Sequence, residues 1–232
     1  MNEIIAKELL DKIVGQIFGY QNPLTLDQAM TKFAFDVRLP QEVFDASTGQ
    51  PTWVASMNQS RFVSSEAVKK RLADGGDLQQ HREMTSIDDV LTAWKDINYA
   101  TSDRQIDSSD VAQSDGVYHS QYVYRSIDIR KSKNILFCDG VDSCDHVVAG
   151  QTSKTCQYTI RVEDSKNISS SFNVVWSNKI TNSLFIQDCF DLDECMFCTH
   201  LAGKKFCIAN IQYTEEEYRR IKKMIILWIF QS

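Results

Sequence analysis

A six-residue repeat constrains this chain more than any other feature. The sequence divides into units of six from Ser108, and the same division resumes at Ser153 after a break at Gly150 to Thr152. In all fifteen units the first position is Ser, Thr or Cys, and the fourth is Val, Ile, Leu or Cys. Such self-similarity is typical of a solenoid, in which each repeat packs only on its neighbours.

The spacing of the repeat indicates the shape of the coil. An ordinary strand turns every second residue to the same face. Here the core-type residues recur every third position, so a bend is needed between each pair of inward residues. The third position often supplies it as Asn, Asp or Gly, which tolerate left-handed backbone conformations. Two units would form a coil of twelve residues, and eight coils, one shortened at the break, would stack at about 4.8 Å each.

Several alternatives stay open from the spacing alone. Coils of eighteen or twenty-four residues are compatible with it, as is either handedness. The small residue follows the aliphatic one by three positions rather than the four usual in left-handed hexapeptide helices, which favours the right-handed form. A twisted antiparallel sheet with coincidental serine spacing is the competing interpretation.

The fourth positions are the predicted core of the solenoid. They comprise Val111, Val117, Val123, Ile129, Ile135, Val141, Val147, Cys156, Val162, Ile168, Val174, Ile180, Ile186, Leu192 and Cys198. A second period lies over the first in the later units, because the second position alternates between polar and apolar. Its apolar members are Ile160, Phe172, Leu184 and Met196, which makes the true repeat there twelve residues long.

The predicted fold class is an α+β N-terminal region, then a parallel β-helix with right-handed coils of about twelve residues, then a C-terminal capping helix. The expected domains are residues 1–100 for docking or capping, 101–207 for the solenoid and 208–232 for the helix. Solenoid ends expose open strand edges, so caps are expected there.

The N-terminal region is predicted from amphipathic patterns and capping residues. An amphipathic helix is expected over residues 3–18, and Thr25 with Gln28 begins a short second helix. Residues 33–39 and 43–55 are predicted to form a hairpin, with Ser47-Thr48-Gly49 at the turn. Two further helices are expected, one beginning at Ser64 and ending at Gly75 and Gly76, and one beginning at Ser86 with Asp89 as its capping partner.

The C-terminal helix begins at a capping box made by Thr214 and Glu217. Its last two turns, residues 224–230, are apolar on every side and must be buried against the solenoid or a partner. The predicted interface residues are therefore Ile225, Ile226, Trp228, Ile229 and Phe230.

Composition narrows the class of partner and the cellular location. The formal net charge of -6 is too mild to indicate direct nucleic-acid binding,. The start of the chain lacks the pattern of a secretory signal, and no apolar run approaches the ~18 residues of a membrane span. All seven cysteines lie between Cys138 and Cys207, and reduced thiols in a cytoplasmic protein are expected,.

A metal site is the first chemistry to weigh. Cys189, Cys195, Cys198 and His200 lie within twelve residues and form the weak candidate ligand set for zinc,. The three cysteines occupy first and fourth positions of the repeat, which already explains them as small buried core residues. Only His200 and Cys207 lie outside the pattern. We therefore expect no metal and no cofactor.

The closing segment carries a resemblance. Residues 204–218, KKFCIANIQYTEEEY, and the preceding Cys195-Met-Phe-Cys198 resemble uncharacterised Cys/Ser-rich repeat proteins of bacteriophages and small-genome bacteria. The resemblance covers about residues 100–230 and not the N-terminal part. It implies a solenoid and a phage or bacterial source, but no activity. This chain has Ser at positions where that family has Cys.

These observations favour a structural or scaffold protein over an enzyme. The serines are repeat positions, and the four histidines are scattered. The expected role is a virion component, in capsid decoration, neck or tail, that docks through its N-terminal domain or C-terminal helix. Other protein subunits are the expected partners, in a homo-oligomer or a larger symmetric assembly.

Two other functions are the alternatives. One is a carbohydrate-binding or polysaccharide-cleaving β-helix, for which Asp188, Asp191, Asp193 and Glu194 cluster near one end of the repeat,. The other is a zinc-dependent interaction module.

Overall fold

The structure, a computed structural model, describes residues 1–151, 153–154, 156–163 and 166–231, and leaves aside the side chains of 146–147, 151, 153–154, 157–158 and 161–163. The helices of these ranges are α1 (Glu3–Phe18), α2 (Leu26–Phe33), α3 (Ser65–Ala73), α4 (Ile87–Ile97) and α5 (Glu215–Gln231). The strands outside the solenoid are β1 (Gln41–Phe44), β2 (Pro51–Val54) and β3 (Phe62–Ser64).

The remaining strands follow one another at intervals of about six residues. They are β4 (Ala100–Ser102), β5 (Gln105–Ile106), β6 (Ser109–Ala112), β7 (Asp115–Tyr118), β8 (Gln121–Tyr124), β9 (Ile127–Arg130), β10 (Lys133–Leu136), β11 (Asp139–Asp142), β12 (Asp145–Gln151), β13 (Ser153–Lys154), β14 (Gln157–Glu163), β15 (Lys166–Ser169), β16 (Phe172–Val175), β17 (Asn178–Thr181), β18 (Leu184–Gln187), β19 (Phe190–Asp193), β20 (Met196–Thr199), β21 (Ala202–Lys205), β22 (Cys207–Ile208) and β23 (Ile211–Gln212).

The strands pair in parallel across a constant interval of twelve residues. The pairing runs from Gln105↔Val117 near the start to Met196↔Ile208 near the end. Each strand therefore pairs with the second strand along the chain, as in β10 with β12. This confirms the predicted fold class, with an α+β region, a parallel solenoid of twelve-residue coils and a C-terminal helix.

The coil bends at every third residue. In the described backbone, positive φ angles recur every three residues from Asp107 to Ser143 and again from Asn167 to Ala209. They occur at the sixth position of the unit as well as at the predicted third position. Bulky residues such as Phe137 (φ 52) and Trp176 (φ 46) adopt them, although such residues disfavour this region,. A coil thus has four corners, four inward residues and four outward residues.

The three-residue break does not shorten a coil, which corrects the expectation of one incomplete coil. Across it, Asp145 pairs with Gln157 and Val148 with Ile160, still twelve residues apart. Because inward residues recur every three positions, first and fourth positions of the unit occupy equivalent sites. We call the residues that occupy the same place in successive coils a column. After the break, first-position and fourth-position residues exchange columns. Cys144, at a first position, and Cys156, at a fourth position, therefore lie in the same column.

Hydrogen bonds explain why the first position is Ser, Thr or Cys. The Ser126 hydroxyl donates to the carbonyl of Tyr124 at 2.9 Å and accepts the backbone N–H of Cys138, one coil later, at 3.0 Å. The side chain therefore satisfies the N–H of Cys138, which the bend leaves over, and adds a second donor to the Tyr124 carbonyl, which also accepts the N–H of Phe137,. The same pair of bonds is made by Ser114, Ser120, Ser132, Ser171, Ser177 and Ser183.

Burial of the predicted core follows the repeat. Twelve of the predicted fourth-position residues are buried, and Val111 is partly buried against them. Val147 and Val162 lie outside the described side chains. Cys207 was expected to lie outside the pattern, and this is wrong. It is buried twelve residues after Cys195, in the same column, so the repeat continues for one more coil.

One outward column of the solenoid is apolar, and helices cover it. Its members recur every twelve residues on both sides of the break in the repeat: Ala112, Tyr124, Leu136, Val148, Ile160, Phe172, Leu184, Met196 and Ile208. They form one cluster with α1, α2 and α5. This explains the alternating second position of the repeat. The predicted C-terminal helix is present, and it packs along this flank.

The two ends of the solenoid are closed by other elements. At the start, β3 pairs in parallel with β4. The backbone N–H of Trp53 in β2 donates to the Asp103 carboxylate, and the backbone N–H of Asp103 donates to the Trp53 carbonyl. At the finish, β23 turns back and pairs antiparallel with β22. The predicted hairpin is formed by β1 and β2. The expected strand at residues 33–39 is absent from the structure, because α2 extends to Phe33.

Candidate docking surface

Helix α5 has one side in the core and one side exposed. Ile226, Ile229 and Phe230 are buried, with the Phe230 ring 5.1 Å from that of Phe18. Ile225 is half-buried, and Trp228 is 54% exposed. The five predicted interface residues thus divide between the intramolecular core and a surface.

The exposed side of α5 continues into aromatic residues of the solenoid. The rings of Phe185 and Phe197 stack with their centroids 4.4 Å apart, and Trp228 lies 6.0 Å from Phe185. Phe197 is 41% exposed, and Phe35, after α2, is also exposed. We call Phe35, Phe185, Phe197 and Trp228 the aromatic patch.

The repeat itself positions this patch. Phe185 and Phe197 are both third-position corner residues, twelve apart, so the stacking of coils brings their rings together. Phe185 also packs edge-on against buried Phe172 at 5.0 Å. Phe172 therefore supports the Phe185 ring from the side of the core.

A shallow cavity opens in the patch. It has a volume of about 260 Å³ and is lined by Lys32, Phe33, Phe35, Phe172, Asn173, Phe185, Trp228 and Ile229. The lining is mainly aromatic, with one amine and one amide at the edge. Such a site suits an apolar side chain rather than a charged ligand.

Polar contacts hold α5 in place beside the patch. Thr214 and Glu217 form the predicted capping box, with the Thr214 hydroxyl donating to Glu217 at 2.7 Å. Arg219 bridges Glu215 and Glu194 of the solenoid. Lys222 donates to the carbonyl of Asn182 at 3.4 Å, and burial lowers the pKa of its amine.

Cys195 and Cys198 are hydrogen-bonded to each other, but the structure does not assemble the four candidate zinc ligands into one site. Cys189, Cys195 and Cys198 are buried inside the solenoid, where each thiol donates to the carbonyl two residues earlier. His200 is an outward corner residue beside Asp188. Among the described residues there is no group of three or more His, Cys, Asp or Glu side chains able to hold a metal ion.

The thiols of Cys138, Cys189, Cys195 and Cys207 have the chemistry of core residues, whereas the hydrogen bond from Cys195 lowers the pKa of the Cys198 thiol to about 6. Burial raises the pKa of the Cys138 thiol to about 12. Burial also raises the pKa of Cys189 and of Cys207, while the hydrogen bond to Cys198 and then burial raise that of Cys195. At neutral pH these four thiols are protonated, and protonated thiols are poor nucleophiles and poor metal ligands.

The acidic cluster is dispersed around the coil. Asp188, Asp191 and Glu194 occupy three successive corners, as their positive φ angles show, and Asp193 lies on the strand between two of them. Glu194 and Asp193 are paired with Lys205. A polysaccharide-cleaving enzyme needs two carboxylates facing one bond; here only Asp193 and Glu194 lie close together, and Lys205 neutralises both.

A second apolar surface was missed in the sequence. In α4, the side chains of Ile87, Val90, Leu91, Trp94 and Ile97 are exposed on one side. They recur at intervals of three and four residues, which is the helical periodicity. The pattern was readable, but the helix was assigned only from its cap.

No protein-family model, curated protein or solved structure matches the chain. The fold alone therefore defines the class of protein, a twelve-residue parallel β-solenoid with helices along one flank. In the part of the chain that the structure describes, the helices are all too short or too polar to cross a bilayer.

Proposed function

We propose that this protein is a structural subunit that docks onto a larger protein assembly through the aromatic patch. One observation carries the proposal: exposed Trp228 and half-buried Phe185 line a cavity of about 260 Å³, and exposed Phe197 stacks on Phe185 beside it, so the aromatic surface is pre-organised. Buried aromatic anchors of this kind dominate the energetics of protein–protein interfaces.

The body of the molecule supports a mechanical rather than a catalytic role. Apart from Ser108, which is partly buried, the first-position serines with described side chains and the cysteines, which are the abundant nucleophile types, are buried and bonded to the backbone. Coils stacked at about 4.8 Å with a continuous hydrogen-bond ladder make a stiff rod. A stiff rod with a docking surface on one side fixes the distance and orientation of the subunits that it joins.

The setting we propose is a phage particle, in capsid decoration, neck or tail. Support comes from the resemblance of residues 100–230 to repeat proteins of phages and small-genome bacteria. The partner is a neighbouring protein subunit that inserts an apolar side chain between Phe185 and Trp228.

Site-specific photo-crosslinking tests the proposal. A photoreactive amino acid is placed at Trp228, and in a matched variant at Lys133, which is exposed on a polar side of the rod. In cells that make the protein naturally, we expect one defined partner to crosslink from position 228 and not from 133. In the same background, Phe185→Ser should reduce the yield at least fivefold. Equal crosslinking from both positions, or none from 228, overturns the proposal.

A further inference from the structure

Three of the cysteines have their thiols in contact with one another near the C-terminal end of the rod. Cys195, Cys198 and Cys207 belong to one buried cluster, and none is more than 2% exposed. The Cys195 thiol lies within hydrogen-bonding reach of both of the other thiols. The sulfur of Cys198 is 3.7 Å from the carbonyl oxygen of Cys207. Ser, Val or Ile fills the equivalent sites in most other coils, so packing alone does not demand three thiols here.

The repeat places Cys195 and Cys198 on either side of one corner. Phe197 occupies that corner with a φ of 52°, and the two cysteines are successive inward residues in the same narrow interior. Only Met196 and Phe197 separate them in the chain. A disulfide joins sulfur atoms about 2.0 Å apart. Two thiols that already share a hydrogen bond can reach this distance by rotation of their side chains.

The two thiols of this pair differ in acidity. The hydrogen bond from Cys195 lowers the pKa of the Cys198 thiol to about 6. The hydrogen bond to Cys198, and then burial, raise the pKa of the Cys195 thiol. At neutral pH the thiolate of the pair therefore lies on Cys198, and the thiolate is the form that reacts with an oxidant.

The end of the rod gives an oxidant access to this pair. Cys207 lies in β22, which is joined to β23 by only two residue pairs. Short terminal elements open at the lowest cost in free energy, and opening of this hairpin uncovers the three thiols. Cys144 and Cys156 are also hydrogen-bonded to each other, but they lie in the middle of the rod with coils on both sides.

We propose that Cys195 and Cys198 are a site of reversible oxidation by hydroperoxides, which converts the two thiols into a disulfide. The Cys198 thiolate attacks the peroxide and the O–O bond breaks. Cys198 becomes a sulfenic acid, and the released alkoxide takes up the proton that Cys198 had lost. The Cys195 thiol then attacks this sulfur, an S–S bond forms, and water leaves.

The reaction oxidises two thiols and reduces one hydroperoxide to an alcohol and water. An added dithiol reverses it by thiol–disulfide exchange. The site makes the end of the rod sensitive to oxidants while the thiols in the middle of the rod stay reduced. It is separate from the aromatic cavity, so this assignment and the proposed function can fail independently.

Treatment of the full chain with hydrogen peroxide at neutral pH tests the site. The remaining thiols are alkylated after unfolding, and the peptides are mapped by mass spectrometry. We expect Cys195 and Cys198 to form a disulfide at least about tenfold faster than Cys144 and Cys156 are oxidised. Dithiothreitol should restore both thiols. No disulfide, a different pairing, or equally fast oxidation of Cys144 and Cys156 overturns the proposal.

A matched pair of variants tests which thiol reacts first. Cys198→Ser removes the attacking thiol and inserts a residue that the repeat itself uses at inward sites, so it should slow the oxidation of Cys195 at least about tenfold. Cys189→Ser makes the same change at another buried thiol of the cluster and should leave the rate within about twofold of the wild-type value,. Both variants should keep the wild-type circular dichroism spectrum, and mapping of the wild-type chain decides the pairing without either of them. An unchanged rate in Cys198→Ser contradicts the assigned roles.

Discussion

The choice of residue at the first position of the repeat has a hydrogen-bonding explanation. A bend at every third residue leaves backbone groups that neighbouring strands cannot reach. A small side chain with one donor and one acceptor accepts the left-over N–H and also donates to a nearby carbonyl, without filling the narrow interior. Cys replaces Ser at a modest cost because its thiol still donates, as in Cys138 to the carbonyl of Leu136 at 2.9 Å.

Replacing one of these serines by Ala should be costly out of proportion to its size. Ser126→Ala leaves the buried N–H of Cys138 without its partner and removes one of the two donors to the carbonyl of Tyr124, which keeps the N–H of Phe137. We expect a loss of about 1–3 kcal/mol in the free energy of unfolding, measured by urea denaturation. Ser109→Ala, at an exposed strand position, is the control and should change it by less than about 0.5 kcal/mol. Equal costs would show that the buried hydroxyl is dispensable.

The buried thiols make stability fall in alkaline solution. Cys138 keeps its proton in the folded chain up to about pH 12 but loses it near 9.0 when unfolded. Between these values the folded state binds more protons, so the free energy of unfolding decreases as pH rises, by up to about 1.4 kcal/mol per pH unit for this group. Cys138→Ser retains the ladder bonds and removes the titration.

Urea denaturation at pH 7 and at pH 10.5 measures this effect. The wild-type chain should lose more stability between the two pH values than Cys138→Ser does, by about 1 kcal/mol or more. Parallel pH profiles for the two proteins would contradict burial of this thiol.

At the scale of elements, the sequence predicted what local patterns determine. Helices α1 to α5 begin where capping residues such as Thr25, Ser64 and Thr214 predict, because a cap is a local hydrogen bond,. The predicted strand at residues 33–39 was wrong, since Phe33, Ala34, Val37 and Leu39 pack in the helical cluster. Whether such a segment forms a strand depends on its packing against coils that are distant in the sequence. The residues of the short segment alone do not show that packing.

The placement of the helices required the whole coil. Whether α5 covers an open end or lies along the flank depends on which outward column is apolar. That column is visible in the sequence only once the twelve-residue interval is followed through the break, from Val148 to Ile160. The aromatic patch was predicted in part, through Trp228. Its solenoid half, Phe185 and Phe197, resembled ordinary repeat variation.

At the scale of the molecule, twelve residues are the unit that can be removed. Lys133 and Asp145 occupy the same place in successive coils, so deleting residues 133–144 preserves every column. Deleting 133–138 carries the later half of the apolar column to the opposite side of the rod, away from α1.

We therefore expect different outcomes from the two deletions. The twelve-residue deletion should unfold cooperatively in urea and be shorter by about 5 Å in small-angle scattering. The six-residue deletion, although smaller, should lose cooperative unfolding. Cooperative folding of both would mean that the flank helices contribute little to the structure.

The break at residues 150–152 has a consequence for how such a chain can change over generations. Inside the rod, Ser-type and Val-type residues exchange columns there while the twelve-residue pairing interval is kept, because the inward sites recur every three residues. Outside, the column beneath the helices keeps its apolar character straight through the same point. The interior and the exterior of the rod are therefore constrained differently. The inward pattern can shift by three residues, whereas the outward pattern is set by the helices that pack against it.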